Sequence, residues 1–561
     1  MIDSKTLRTR RWLRPAWSLG LAAALVSGHS TPAHAEATQV AASEQAKRPN
    51  VIFIITDDQK NRELGYLEGE ALTPNFDRMA REGVVFEKNY VAASVCSPSR
   101  YTCMTGQFAS RCELDFFNLQ TTEEGVRRVL WNLGFADGQP NLPRVLQANG
   151  YRTGFVGKWH INGVGRTYET VPGTDASDPA IAKILKENHD LIAKDIKQFG
   201  FDYADGVYRG NLHDDKLLVN TGMDEHNMEW LTQAALNFIE ESKDEPFYLY
   251  FATTLNHVPD PKISIKADPR ISGEGLLDEP ITGIMPPRES IYARLKEHGV
   301  PEDLADATWL DDGIGAVLSK LEELGIADNT LVIYFNDHGM ADQSKGTTYE
   351  GGLISPTLAY WPGRIKPQRV STITQNTDFA PTILDAAGVT PPDDMIIDGK
   401  SWLPLVEGKV DHTHTSAYSE IGLVRSVSTP EWKYIAFRVP PSLQRTKAER
   451  LAEHKALYAE LYEKEPWTRD NPKYAIDPEA RYHQMGMGPG GSRFERGQLN
   501  PDAAWIDNYF DADQLYHLAV DPKESNNLAN DPAYADKLAE MKAILRGYLD
   551  DMPDQFDTLL D

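Results

Sequence analysis

Four apolar runs in this chain end the same way, and that shared ending constrains the fold more than any other feature of the sequence. Residues 51–56 run into Asp57-Asp58, and 153–157 into Lys158-Trp159-His160. Residues 247–252 lead within a few positions to Asn256-His257-Val258-Pro259, and 331–335 into Asn336-Asp337-His338-Gly339. Short runs this apolar read as strands covered on both faces, the habit of parallel strands in α/β sheets. Helical periodicity marks 73–82, 228–241 and 307–324, the last with Gly325 just past its end. In open α/β sheets ligands bind beyond the carboxyl ends of the strands. Asp, His and Lys collected at four such ends therefore predict one composite site. Each motif alone has a plainer reading: the two Asp-rich ends can be turns or a hard-cation site, and His257 can be a buried structural histidine. Lys158 and His160 alternate along an extended segment and are expected to face one side. His189, His226, His298 and His454 are expected on solvated faces.

A chain of 561 residues outgrows a single core, so two domains are expected. We divide it into a signal peptide (1–35), a larger α/β domain (48–412) and a smaller α+β domain (413–561). The smaller domain has short runs at 417–421 and 433–437, a polar insertion over 440–511 and a closing helix over 533–549. Arg8, Arg10, Arg11 and Arg14 precede an apolar run too short to span a bilayer, and Ala33-His34-Ala35 offers a cleavage site. The expected address is periplasmic or secreted, with no membrane attachment after cleavage. The formal charge of −26 becomes −30 without the leader's five Lys/Arg and one Asp. So acidic a product excludes nucleic acid as a partner and requires any anionic substrate to be caught by a local cluster of cations.

Three cysteines cannot build a disulfide framework. Cys103 and Cys112 can pair or stay as buried thiols. Cys96 opens Cys96-Ser97-Pro98-Ser99-Arg100, with Tyr101 to Gly106 following. Pro98 suits a first helical turn and Gly106 a helix end. Cys96 is thus expected at a helix N-terminus, where an anion is favoured and a thiol's pKa is lowered. From electrostatics alone this is a cysteine nucleophile.

In this order the motifs resemble the formylglycine-dependent sulfatases of the alkaline phosphatase superfamily. The resemblance rests on Asp57-Asp58, Cys96-x-Pro98-x-Arg100 with Thr105-Gly106, and Gly157-Lys158-Trp159-His160. It continues through His257-x-Pro259, Asp337-His338-Gly339, Lys345 ahead of Tyr349-Glu350-Gly351-Gly352, Leu515-Tyr516-His517-Leu518 and Asp521-Pro522. It implies an alkaline-phosphatase-like α/β/α sandwich with a large mixed sheet and a smaller C-terminal α+β domain. It implies that a maturation enzyme converts Cys96 to formylglycine, whose hydrate attacks sulfur, and that one Ca2+ is held by Asp57, Asp58, residue 96, Asp337 and His338. His338 stands where many members carry Asn, and its nitrogen is a softer donor than calcium prefers. By the same resemblance Arg100 and Lys158 position residue 96 and bind sulfate, His160 is the base that expels sulfate, and His257 and Lys345 face the ester oxygen. Gln59-Lys60-Asn61 departs from the glycine usual after the Asp pair, which predicts a different loop. Long insertions in an exported enzyme point to sulfated carbohydrate, with Arg481, His483 and Arg493 as candidate substrate contacts. A broad arylsulfatase, a phosphonate monoester or phosphodiester hydrolase with the same site, and a non-catalytic glycan-binding relative are the alternatives.

Overall fold

The computed structural model describes residues 48–560, apart from 166–167, 169, 342–343 and most of 450–505. The signal peptide assigned to 1–35 and the candidate contacts Arg481, His483 and Arg493 lie outside the described residues. Arg48–Asp561 is one compact unit carrying two main sheets. The larger contains β1 (Asn50–Thr56), β2 (Val84–Phe86), β3 (Arg152–Lys158), β4 (Tyr203–Tyr208), β5 (Phe247–Ala252), β6 (Thr330–Asn336), β7 (Thr357–Tyr360) and β8 (Gln368–Val370). Their order is β8-β2-β7-β6-β1-β5-β3-β4. β7 runs antiparallel to both its neighbours, while β6, β1, β5, β3 and β4 are mutually parallel. The sheet is large and mixed, as the resemblance implies, and has eight strands.

Strand alternation sends side chains into two cores. From β1, Val51, Phe53 and Ile55 face one core, and Ile52 and Ile54 face the other. The first core is shared with α2 (Cys96–Thr105), α3 (Leu142–Ala148) and α6 (Phe379–Ala387), the second with α1 (Pro74–Glu82), α4 (Met228–Ser242) and α5 (Ala305–Glu323). Each fully buried Phe, Ile or Leu contributes roughly 1.5–3 kcal/mol, so covering both faces is what makes such apolar strands stable. The result is a three-layer α/β/α sandwich.

The smaller sheet, β9 (Ala417–Ile421), β10 (Val424–Ser428), β11 (Trp432–Phe437) and β12 (Asp513–His517), is antiparallel in sequence order. Helix α7 (Ala535–Leu549) packs Met541, Leu545 and Leu549 into its core. The Leu515-Tyr516-His517 motif lies in the last of these strands, and Cys103 and Cys112 are free, buried thiols. No helix among the described residues is long and apolar enough to cross a membrane.

Candidate active site

Sheet order explains why the four motifs meet. β6, β1, β5 and β3 are consecutive neighbours pointing the same way, so their carboxyl ends open side by side. The ends of β1 and β6 are tied by side chains. Thr56 Oγ1 lies 3.0 Å from Gln59 Oε1 and 3.1 Å from Asn336 Oδ1, sharing its one hydrogen between them, and Tyr334 Oη donates to Gln59 Oε1 at 2.7 Å. The departure at Gln59 is therefore a buried tether, and Asp58 beside it adopts a left-handed backbone (φ 57°). In β3, Gly157 (φ +101°) marks a register shift; a Cβ there would lie 1.7 Å from the carbonyl oxygen of Ala252. Only glycine passes, and the irregularity turns Lys158 toward β1.

Helix α2 begins at Cys96 after the extended Val95, carries Pro98 in its first turn and closes on Gly106 (φ 72°). Its start meets the strand ends. Asp57, Asp58, Cys96, Asp337 and His338 offer ligand atoms that all lie within 4.8 Å of one another. Cations surround them. Arg100, wholly buried, donates from Nη2 to Asp57 Oδ2 at 2.8 Å and to Asp337 Oδ2 at 3.1 Å, and from Nη1 to the Lys158 carbonyl at 3.2 Å. Lys158 Nζ bonds to Asp57 and Asn211. Lys345 Nζ reaches Asp58 Oδ1 at 2.5 Å and lies 3.7 Å from Cys96 Sγ.

Burial raises the Asp57 carboxyl's pKa, but Lys158, His257 and Arg100 outweigh it and hold the group well below the ordinary carboxylate range. Lys345 and His338 do the same for Asp58. The thiol behaves otherwise than expected: burial, then Asp337 and Asp57, push Cys96 up, overriding the helix terminus and the lysines. The expectation of a lowered thiol pKa is corrected, because two carboxylates share its pocket. Burial alone would depress His338, yet Asp337 and Asp58 lift it to about 10. An ion taking this imidazole would release a proton.

The donor set fits a divalent cation. Asp337 Oδ1 is buried and accepts no hydrogen bond among the described residues, with His338 Nε2 3.4 Å away. Burying a carboxylate oxygen unpaired is costly. Three carboxylates suit a hard ion; residue 96 and the imidazole complete the set.

The remaining site candidates lie around this cluster. His257 is buried, its Nε2 3.6 Å from Asp58 Oδ2, and burial lowers its pKa. His160 also flanks the site, but by a left-handed turn (φ 53°) rather than by strand alternation with Lys158. Burial and Lys158 hold it well below its ordinary pKa, and its Nδ1 has no partner among the described residues. It lines a cavity of about 220 Å³ with Ser97, Trp131, Asn162, Arg209 and Asn211.

Several residues escaped the sequence reading. His189 and His226 are buried, not solvated. His226 Nε2 lies 3.0 Å from the His257 carbonyl and 3.1 Å from that of Pro259, so this nitrogen carries the proton; its Nδ1 then accepts from Thr254 Oγ1 at 2.7 Å. It pins the His257 loop, and burial keeps it neutral with a pKa near 4. Arg209, Gly210 and Asn211 follow β4 as the other motifs follow their strands. Asp205 and Gly206 break that strand's apolar run, which hid it. His213 stacks on His257, with ring centroids 5.5 Å apart.

The Tyr349-Glu350-Gly351-Gly352 motif joins the site to the smaller sheet. Lys433, fully buried, lies 2.9 Å from Glu350 Oε1 and 3.4 Å from Glu524 Oε1. Burial lifts Glu524 from an ordinary 4.5 to about 8 against the pull of Lys433. A folded-state pKa above the unfolded one gives stability that is fully present below the unfolded value and lost as pH rises through the folded one. Unfolding temperatures should therefore fall between about pH 5 and pH 8, and Glu524→Gln should flatten that fall. Equal slopes for the two proteins in thermal melts would refute it.

Comparison with known proteins agrees with this geometry. The Sulfatase family model matches residues 49–389. The N-acetylgalactosamine-6-sulfatase of Rattus norvegicus is 30% identical over 386 residues, 64% of this chain and 66% of that protein. The chain thus spans about two thirds of the length of that relative. The N-acetylglucosamine-6-O-sulfatase of Bacteroides thetaiotaomicron is 25% identical, covering 92% of this chain and 90% of its own length. A structure solved in complex with its substrate D-glucosamine-2-N,6-O-disulfate superposes with a TM-score of 0.54 at 21% identity, over 91% of this chain and 99% of that one. The family match takes in all eight strands of the larger sheet and every residue of the acidic cluster, and on that ground the chain belongs to the sulfatase family.

Proposed function

We propose that the protein is an exported hydrolase of sulfate monoesters on sulfated carbohydrate, working through formylglycine made from Cys96 by a maturation enzyme and through one calcium ion. The observation that carries this reading is the cluster of Asp57, Asp58, Cys96, Asp337 and His338 within 4.8 Å, ringed by Arg100, Lys158 and Lys345. Calcium on the carboxylates and His338 supplies charge neutralisation, and formylglycine supplies the nucleophilic oxygen. The chain's own groups do the rest. Arg100 holds Asp57 and Asp337 in register through a shared Nη2. Lys158 and Lys345 bring positive charge to the sulfate oxygens. His160, neutral and with no partner for Nδ1 among the described residues, accepts the proton whose removal releases sulfate. Lys345 and His257 flank Asp58, and one of them protonates the departing alcohol.

Carbohydrate is favoured over a small aryl ester by the polar cavity beside Ser97 and His160, about 220 Å³, and by the sugar-sulfate names of the relatives. Export rests on the basic and apolar leader. The test is sulfate release by the matured full chain from sulfated oligosaccharides, nitrophenyl sulfate and matched phosphate esters, with and without a calcium chelator. The expected result is the highest kcat/KM on a sulfated sugar, lost on chelation. Faster cleavage of the phosphate or aryl esters, or indifference to chelation, would overturn the corresponding part.

A further inference from the structure

The cations at the centre of the site are all engaged: Arg100, Lys158 and Lys345 each pair with an aspartate. Arg209 is not. It is half-buried just beyond β4, and its guanidinium makes no hydrogen bond or ion pair among the described residues. The acids in the same wall already have partners. Asp215 caps the short helix Lys216–Thr221 through the backbone N–H of Leu217 at 3.0 Å. Asp214 accepts from Asn211 Nδ2 at 2.7 Å and lies 3.3 Å from His213 Nε2. Asp215 acts on Arg209 only through its field.

Arg209 also stands at a junction. It lines the cavity of about 220 Å³ that holds Ser97 and His160, and a neighbouring one of about 540 Å³ that shares Asn162, Gly163 and Val164 with the first. The first is smaller than the roughly 300–1,000 Å³ pockets of drug-sized ligands, which suits one sugar ring. Half-exposed Trp131 offers that ring an apolar face, and Asn162 and Asn211 offer amides to its hydroxyls. A chain leaving this cavity toward the next passes Arg209. In a protein of net charge −26, a half-buried and unpaired guanidinium is a rare attraction for an anion, and its planar fork matches a carboxylate or a sulfate.

We propose that Arg209, at the junction of the two cavities, binds a second anionic group of the substrate, a carboxylate or a further sulfate outside the ester being cut. This rests on the carbohydrate-sulfatase reading and narrows it to multiply anionic glycans. The experiment measures kcat/KM of the full chain, Arg209→Gln and Arg209→Lys on three matched sugars. One is a monosulfated sugar with a neutral neighbour, one the same sugar beside a uronic acid, and one the same sugar with a second sulfate. The expected result is that Arg209→Gln lowers kcat/KM on one anionic substrate by about 10- to 100-fold more than on the neutral one, through KM, the scale of a lost charge-assisted contact. Arg209→Lys should recover part of it. Which arm responds names the anion. Equal losses on all three substrates, or a wild-type enzyme with no preference for either anionic sugar, would overturn the proposal. A wild type inactive on every sulfate ester would instead fail the sulfatase reading itself.

Discussion

Replacing Cys96 by alanine should lower kcat/KM for sulfate-ester hydrolysis at least about 10⁴-fold, the scale on which enzymes lose an essential nucleophile. The effect should fall on turnover and not on folding. Sγ makes only long polar contacts among the described residues, 3.6 Å to Asp57 Oδ1, 3.7 Å to Lys345 Nζ and 3.8 Å to His338 Nε2, so little hydrogen bonding goes with it. Thermal melts of the two proteins should nearly coincide. Peptide mass spectrometry of the wild type completes the argument, because formylglycine is lighter than cysteine. Full activity with an unmodified Cys96, or a variant retaining a tenth of the rate, would rule out the proposed chemistry.

The second large effect concerns stability. Arg100 and the two carboxylates it bridges are all fully buried. Cutting the guanidinium away leaves two buried negative charges without their shared partner, and breaking such a pair from one side costs about 3–5 kcal/mol. Arg100→Leu should therefore lower the denaturant midpoint strongly. A divalent cation at the cluster takes over part of the lost charge, so the loss should be smaller in calcium than in chelator. A calcium-independent change below about 1 kcal/mol would mean that the network is already neutral without Arg100. Arg100→Lys separates charge from shape: it keeps the cation but cannot bridge both aspartates and the Lys158 carbonyl as the fork does.

Much of this molecule was legible before folding. The apolar strands at 51–56, 153–157, 247–252 and 331–335 all recur within a residue or so of β1, β3, β5 and β6, because a segment buried on both faces has no polar choice to make. The prolines and glycines around α2 set its ends for steric reasons that need no partner. The acidic cluster could be listed residue by residue from its motifs. The misreadings have a common cause. His226 and His189 look like any surface histidine in the chain, and burial depends on what packs over them. β4, interrupted by Asp205 and Gly206, carries no clear apolar signature, so the Arg209–Asn211 wall stayed hidden until the sheet set it beside β3.

By itself, then, the sequence determined the four apolar strands and the polar motifs at their carboxyl ends, since those follow from side-chain type and short-range sterics, while the roles of the motif residues came from the resemblance they carry. Only the tertiary structure decided that β6, β1, β5 and β3 are neighbours in that order, that the Cys96 thiol shares its pocket with carboxylates that push its pKa up, and that Arg209 faces a cavity without a partner among the described residues. Those are properties of distances between groups far apart in the chain, and electrostatic energies depend on such distances rather than on sequence position.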